Sequence, residues 1–240
     1  MKHIRRISTI ILLLLLLITG AVQASAMQTG FSTESMPQED IDSFLQNVNV
    51  TKLAKEPSKA AIKCFDVNER GEIAVGCGKG EIKTVCIYNS TGDYLYGYSF
   101  SCTGSFGVEL NENILNIYFV RSDVAVAVDP EGEVKSVLEI QDTTENNKYW
   151  NHTLHATTRK AGDAQYTIRN DMGFFNLFAS SCSQLVVTDK DGNTTIIYDV
   201  NKEQLSNTVA SFVVIVLFIC CVTVIVVWEF VKLRRKIANN

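Results

Sequence analysis

The most constraining feature of the sequence is a run of twenty residues, Val209 to Trp228, that contains no charged side chain. A helix of that length spans about 30 Å, which matches the hydrocarbon core of a bilayer. In lipid, a single crossing segment must be helical, because only a helix satisfies all of its own backbone hydrogen bonds. We therefore predict a transmembrane helix over residues 207–231, in contact with membrane lipid.

The residues after this run predict its orientation. Residues 232–240 form a short basic tail that contains Lys232, Arg234, Arg235 and Lys236. Basic residues beside a span favour the cytoplasmic side, and the ring of Trp228 suits the membrane interface. The tail is therefore expected in the cytoplasm, with the preceding domain outside the cell membrane.

The first 26 residues have the three parts of a signal peptide. A basic segment precedes the apolar core Ile7 to Ile18, and Ala24-Ser25-Ala26 has the small residues that signal peptidase accepts. We expect cleavage after Ala26, with cleavage after Ala24 or retention as an anchor as alternatives. All three place residues 27–206 outside, as in a single-pass type I protein.

The charge of this outer region limits its partners. Residues 27–206 contain 15 Lys and Arg against 25 Asp and Glu, a net charge of −10 that the whole-chain value of −4 conceals. An acidic surface disfavours nucleic acid and anionic lipid headgroups. A region of about 180 residues is enough for one core, and too small for two large domains.

The cysteines leave two interpretations open. Five of the seven lie in the outer region, and the other two, Cys220 and Cys221, lie in the span. Cys77 and Cys86 flank a glycine-rich stretch and would face each other across a hairpin, so one disulfide is possible. The alternative is that the five are buried thiols that behave as small apolar side chains. The spacing does not suggest a zinc site.

A polar spacer and a short amphipathic helix are expected over residues 27–59. Ser35 and Gln38 have the spacing of a capping box, and Pro37 suits the first turn. An apolar stripe follows at helical spacing, formed by Ile41, Phe44, Leu45 and Val48. Such a stripe packs on its own domain more often than it recruits a partner.

Residues 60–206 are expected to form an extracellular β domain, because from residue 60 onward the pattern predicts antiparallel β structure. Three hairpin turns share one form, in which Asn or Asp precedes a glycine by three residues: Asn89 to Asp93, Asp129 to Glu133 and Asp189 to Asn193. The first residue accepts backbone hydrogen bonds, and Gly92, Gly132 or Gly192 supplies the positive φ. A calcium site at Asp189 is not favoured, because Val200 stands where a bidentate Glu is needed.

The run from Phe65 to Phe100, FDVNERGEIAVGCGKGEIKTVCIYNSTGDYLYGYSF, resembles an NHL-type β-propeller repeat. The resemblance covers about residues 60–200 and implies a mainly β domain of about three blade-like hairpin repeats, with the outer helix near residues 37–48 as its only helix. Because propellers need at least four blades to close, three blades must stay open or be completed by a second chain. The open monomer is the preferred expectation.

The longest interval between the turns contains the candidate ligand-binding residues. Residues 141–149 are polar and predict a loop, after which Trp150, His152 and His155 lead into a strand and a hairpin turn at Gly162. Tyr149, Trp150, His152 and His155 are the binding candidates, because loops often carry function. The alternative is that these aromatics anchor the core. Two histidines three apart on a strand point to opposite faces, so a metal is not expected.

The motif search favours binding over catalysis. No Gly-x-Ser-x-Gly nucleophile motif and no phosphate-binding glycine loop occurs, and no cofactor is implied. We interpret the chain as a non-enzymatic, membrane-anchored binding or sensory module with a protein partner in the membrane or envelope. The alternative is an outer hydrolase or lyase of polysaccharide or peptide, which would need two carboxylates placed by the fold. A span without charges is expected to be exchangeable for another apolar helix.

Overall fold

A computed structural model describes residues 27–238 of the chain. The predicted signal peptide, residues 1–26, lies outside the described residues. In chain order the elements are β1 (Thr33–Ser35), α1 (Gln38–Val48), β2 (Thr51–Lys52), β3 (Ile62–Val67), β4 (Ile73–Lys79), β5 (Ile82–Tyr88), β6 (Tyr94–Ser101), β7 (Phe106–Asn111), β8 (Ile114–Phe119), β9 (Val124–Val128), β10 (Val134–Ile140), α2 (Thr144–Tyr149), a π-helical turn (Trp150–Leu154), β11 (Thr158–Ala161), β12 (Ala164–Arg169), a 3-10 helix (Gly173–Phe178), β13 (Gln184–Thr188), β14 (Thr194–Asp199) and α3 (Asn201–Ala238).

The strands form three antiparallel sheets, each containing four consecutive strands in chain order. The first sheet is β3 to β6 with β2 added at its β6 edge, the second is β7 to β10 with β1 added at its β10 edge, and the third is β11 to β14. Within each group of four, each strand therefore pairs with the next one along the chain, as short hairpin loops require. The predicted mainly β, antiparallel class with one long apolar C-terminal helix is confirmed.

The first sheet lies in the middle of a stack and buries both of its faces. One face packs on the second sheet through side chains such as Val85, Tyr98 and Ile117. The opposite face packs on the third sheet through side chains such as Phe65 and Leu185. Neighbouring residues of the first sheet therefore belong to different cores, as with Cys64 in the core shared with the second sheet and Phe65 in the core shared with the third.

The two outer faces of the stack differ in what they present. The outer face of the second sheet is covered by a smaller cluster that includes Phe31, Trp150 and Leu154. The third sheet turns polar positions outward, including Thr158 and Thr167, whose hydroxyls lie 3.4 Å apart on adjacent strands. Helix α1 packs its apolar stripe against the core between the first two sheets.

The three predicted hairpin turns are confirmed in detail. Gly92, Gly132 and Gly192 have φ of 89°, 94° and 83°, and in each turn the glycine N–H donates to the carbonyl of the Asn or Asp three residues earlier. Each turn joins the third and fourth strands of its sheet. A fourth turn of the same form, Asn68 to Glu72, joins β3 to β4, with Gly71 at φ 76°.

Two local predictions are wrong. Residues 141–149 do not form a loop: Thr143 accepts a side-chain hydrogen bond from the amide of Asn146 and begins α2, so the outer helix over residues 37–48 is not the only helix between residues 27 and 200. The capping box of α1 is also absent. Ser35 lies in β1, Pro37 is the N-cap, and Gln38 instead donates to Asp42 within the helix.

Four of the five outer cysteines follow the buried-thiol alternative, and the fifth, Cys182, is partly exposed. All seven lie in the described part of the chain, and none is in a disulfide. Across the β4–β5 hairpin Cys77 is opposite Thr84 and Cys86 is opposite Val75, so the two thiols are diagonal neighbours and not a facing pair. Burial raises the pKa of Cys77 to about 11 and that of Cys86 to about 12.

Helix α3 follows the last strand with a single residue, Val200, between them. It therefore begins at Asn201, six residues before the predicted start of the span, and runs on to Ala238. Among residues 27–238 it is the one helix long and apolar enough to cross a membrane. Hydrogen bonds hold its first turn to the third sheet: Ser183 donates to Asn201, and Val200 donates to the carbonyl of Ser183.

Candidate functional site

The four predicted ligand-binding residues do not share one surface. Tyr149 ends α2 and is partly buried, with its hydroxyl donating to Glu109. Trp150 is only 8% exposed and packs on Phe31 and Tyr118 in the core of the second sheet's outer face. Trp150 is therefore a core residue, as the alternative interpretation of these aromatic residues expects.

The two histidines of this segment are exposed and separate. His152 projects from the π-helical turn, and His155 stacks on Trp150 with ring centroids 5.8 Å apart. Partial burial and the positive charge of Arg159 lower the pKa of His155. No group of three or more His, Cys, Asp and Glu side chains in residues 27–238 is placed to hold a metal ion.

A buried ion pair joins the three sheets at their first strands. Asp66 on β3 accepts from Arg159 Nε on β11 at 2.9 Å and from the amide of Leu110 on β7 at 2.9 Å. The side chains of Asp66 and Arg159 are 16% and 13% exposed. Arg159 also lies over the ring of Phe65, 5.6 Å from its centroid. One carboxylate thus fixes the relative position of all three sheets.

A second buried carboxylate, Glu109, lies beside this pair on β7. Its two oxygens accept hydrogen bonds from the hydroxyls of Tyr118 and Tyr149, and Thr29 lies 2.7 Å from the hydroxyl of Tyr118. Burial raises the pKa of Glu109, and the negative charge of Asp66 adds to the rise. Burial also raises the pKa of Asp66, although Leu110 and Arg159 act in the opposite direction.

The structure gives each of these two carboxylates a set of protein donors. Both oxygens of Asp66 and both oxygens of Glu109 already accept hydrogen bonds from the chain. A general acid or base needs a hydrogen-bond position open to substrate. The arrangement is therefore suited to holding the sheets together.

A cleft lies at the opposite end of the strands, next to α3. It has a volume of about 870 Å³ and is bounded by the start of the first sheet, by residues 178–181 and by the outer turns of α3. Its polar lining comes from Lys63, Ser180, Ser181, Glu203, Gln204, Asn207, Thr208 and Ser211. Its apolar floor comes from Phe178, Phe212 and Ile215.

One polar atom in this cleft has no partner. Gln204 donates through Nε2 to the carbonyl of Ser181 at 2.9 Å. Its Oε1 is buried and, among the described residues, accepts no hydrogen bond. An unpaired buried acceptor of this kind costs about 1–3 kcal/mol.

The rest of the cleft wall is made of small residues. Ala60, Ala61 and Gly78 line it on the side of the first sheet, and Ala179 and Ala210 line it on the other sides. Small side chains let another backbone approach closely, which is how helices pack in membranes. Sequence reasoning missed this site, because its residues come from four separated parts of the chain. The one local indication of the cleft in the sequence is the polar segment 201–208, directly before the apolar run.

Comparison with known proteins adds no assignment. No protein-family profile matches the chain, and no curated protein matches it in a sequence search.

Proposed function

We propose that the chain is a membrane-anchored, extracellular binding module that acts as an adaptor for an integral membrane protein. The observation that carries the proposal is the cleft shared by the β domain (residues 60–200) and α3. A partner helix leaving the bilayer would enter this cleft, pack on its small residues and form hydrogen bonds with exposed polar residues of the lining, such as Glu203 and Asn207. The proposed partner is therefore a membrane-spanning chain with a polar segment at its outer end.

The direct junction between β14 and α3 supports an adaptor role. A flexible linker would let the domain move independently of the span, whereas here one residue separates strand from helix. Occupation of the cleft therefore changes contacts on both the domain and the helix. For this reason only the deeper part of the span, Leu217 to Val227, is expected to be exchangeable, because Ser211, Phe212 and Ile215 line the cleft.

The fold is proposed to be an open, three-bladed propeller-like domain. Each sheet contains a four-stranded meander of the kind that forms a blade, with the same glycine turn between its third and fourth strands. The covered outer face of the second sheet and the polar outer face of the third resemble the capping repeats of other repeat proteins. Both faces favour the open monomer over a ring completed by a second chain.

The proposed topology places the β domain outside and the basic end of α3 in the cytoplasm, after removal of a signal peptide. Protease added to intact cells should degrade the domain and leave a C-terminal tag protected. Replacing Val216 and Leu217 with Asp should release the protein from membranes, because each central Asp costs about 2.5–3.5 kcal/mol on insertion. A domain protected from protease would contradict this topology.

Site-specific photo-cross-linking in intact cells tests the binding site. A photoreactive phenylalanine analogue at Ser211, inside the cleft, should give a protein adduct of one defined mass. The same residue at Val213, two positions along the helix and outside the cleft lining, is the matched control. The adduct should disappear when Ala210→Trp fills the cleft. Equal adducts from both positions, insensitivity to Ala210→Trp, or adducts with lipid alone would contradict the proposal.

A further inference from the structure

The 3-10 helix Gly173–Phe178, with the sequence GFFNLF, presents apolar side chains to the surroundings. Phe174, Leu177 and Phe178 are 65%, 80% and 54% exposed. Most other large apolar side chains with comparable exposure belong to α3. Three such residues within five positions are unusual for a surface in water, where a patch of this kind marks an interaction site.

This segment touches the membrane-crossing part of α3. The ring centroids of Phe175 and Phe178 lie 5.9 Å and 5.8 Å from that of Phe212. Phe212 is the fourth residue of the apolar run that begins at Val209. The exposed aromatic surface of the segment is therefore continuous with the surface of the helix that faces lipid.

The chain holds the segment in this position. The amide of Met172 donates to the side chain of Asn176 at 2.8 Å, and Met172 itself is only 5% exposed. Asn201, at the start of α3, donates to the carbonyl of Asp171 at 2.5 Å. The segment is thus attached at its beginning to the helix that it flanks.

We propose that residues 174–178 insert into the outer leaflet of the bilayer and form a second membrane contact of the β domain. The inference rests on the proposed membrane anchoring of α3. If Phe212 lies in the outer hydrocarbon region, the rings packed on it lie at the same depth, and the side chains beyond them face acyl chains. Phe and Leu are typical of an apolar face that inserts at the boundary between headgroups and acyl chains. The occupant is lipid and not a second protein, because the patch continues the lipid-facing surface of the span.

The consequence is a fixed orientation of the domain on the membrane. A single helix leaves a domain free to tilt, whereas a helix and an adjacent inserted segment define two points of contact. Phe178 also lines the cleft, so the inserted segment keeps the cleft at the level where a partner's helix emerges.

Fluorescence quenching of the full chain in nanodiscs tests the insertion. Brominated phospholipids quench tryptophan only on contact with the acyl chains. In the unmodified protein Trp228, in the span, should be quenched, and Trp150, in the core, should not. With Trp228→Phe as the background, Leu177→Trp should restore a loss of emission comparable to that of Trp228. It should be strongest for lipids with bromine near the headgroup end of the chain. Leu177 is 80% exposed, so this substitution should not disturb folding.

Lys190→Trp in the same background is the control, because Lys190 is exposed in the hairpin turn at the other end of the third sheet. It should show no quenching. Unquenched, red-shifted emission from Leu177→Trp would place the segment in water, and unquenched, blue-shifted emission would place it against protein. Either result overturns the proposal while Trp228 in the unmodified protein is quenched. An unquenched Trp228 would instead show that the anchor itself fails.

Discussion

The ion pair between Asp66 and Arg159 offers the sharpest test of how the three sheets are held together. Replacing Arg159 with Met keeps most of the side-chain length and removes the charge. Asp66 would then keep one of its two donors, the amide of Leu110. The substitution would also remove the hydrogen bond from Arg159 to the carbonyl of Leu154, at 3.3 Å, and the cation–π contact with the ring of Phe65.

The expected loss of stability is large because the remaining charge is buried. Removing one partner of a buried pair typically costs about 3–5 kcal/mol. The side chains of Arg159 and Asp66 are still 13% and 16% exposed to solvent. We therefore expect a loss in the lower part of that range, about 3 kcal/mol, near pH 8. Replacing Asp66 with Asn in addition should recover part of this loss, about 1–2 kcal/mol, because the unpaired charge is then gone.

The loss should depend on pH. Without Arg159 the folded-state pKa of Asp66 rises further above its ordinary value of 3.8. Between the unfolded and folded pKa values the folded chain binds more protons, so stability falls as the pH rises. The deficit of Arg159→Met should therefore be smaller at pH 5 than at pH 8.

Urea unfolding of the full chain in detergent, followed by the fluorescence of Trp150 in a Trp228→Phe background, measures these differences. Lys135→Met is the matched control. Lys135 lies 2.6 Å from Asp129 but is 44% exposed, and its removal should leave the midpoint nearly unchanged. A loss below about 1 kcal/mol for Arg159→Met at pH 8, with an unchanged m-value, would refute the idea that this pair holds the sheets together.

Three further predictions concern the turns, the second carboxylate and the thiols. Gly92→Val and Gly192→Val should each destabilise by more than about 1 kcal/mol, because valine does not tolerate positive φ. Gly92→Val should cost more in thermal unfolding, because an added Cβ would lie 2.9 Å from a carbonyl oxygen of β14, whereas Gly192 faces open space. The pKa of Glu109 is raised above 4.5 in the folded state, so the free energy of unfolding should fall as the pH rises from 4.5 to the folded-state pKa. Glu109→Gln should reduce this dependence of stability on pH. Alkylation of the folded protein should modify Cys182, which is partly exposed, before Cys86, and equal rates would contradict the burial of Cys86.

The elements that sequence predicts well are those whose signal is local. The apolar run at Val209 to Trp228 indicates a helix without reference to the rest of the chain, and α3 contains it. The Asn or Asp and the glycine of each hairpin turn satisfy their hydrogen bonds within five residues. A fourth such turn, Asn68 to Glu72, has the same local signal in the sequence and the same hydrogen bond in the structure.

Local signals failed where tertiary contacts decided the conformation. Residues 144–154 are polar at first and aromatic later, which is compatible with a loop and a strand. They form a helix because Trp150 and Leu154 cover the outer face of the second sheet, and because Asn146 is held by Ser32 at the N-terminal segment.

The sequence by itself therefore determined the apolar anchor, the antiparallel class and the turns, since each depends on residues within reach of one another along the chain. Only the tertiary structure decided the sites. The partners Asp66 and Arg159 are 93 residues apart, and the cleft joins Ala60 to Ile215. Such contacts depend on which sheet packs on which, and a single charged residue in an apolar strand does not specify its partner. The ion pair and the cleft therefore depend on how the three sheets pack on one another and on α3.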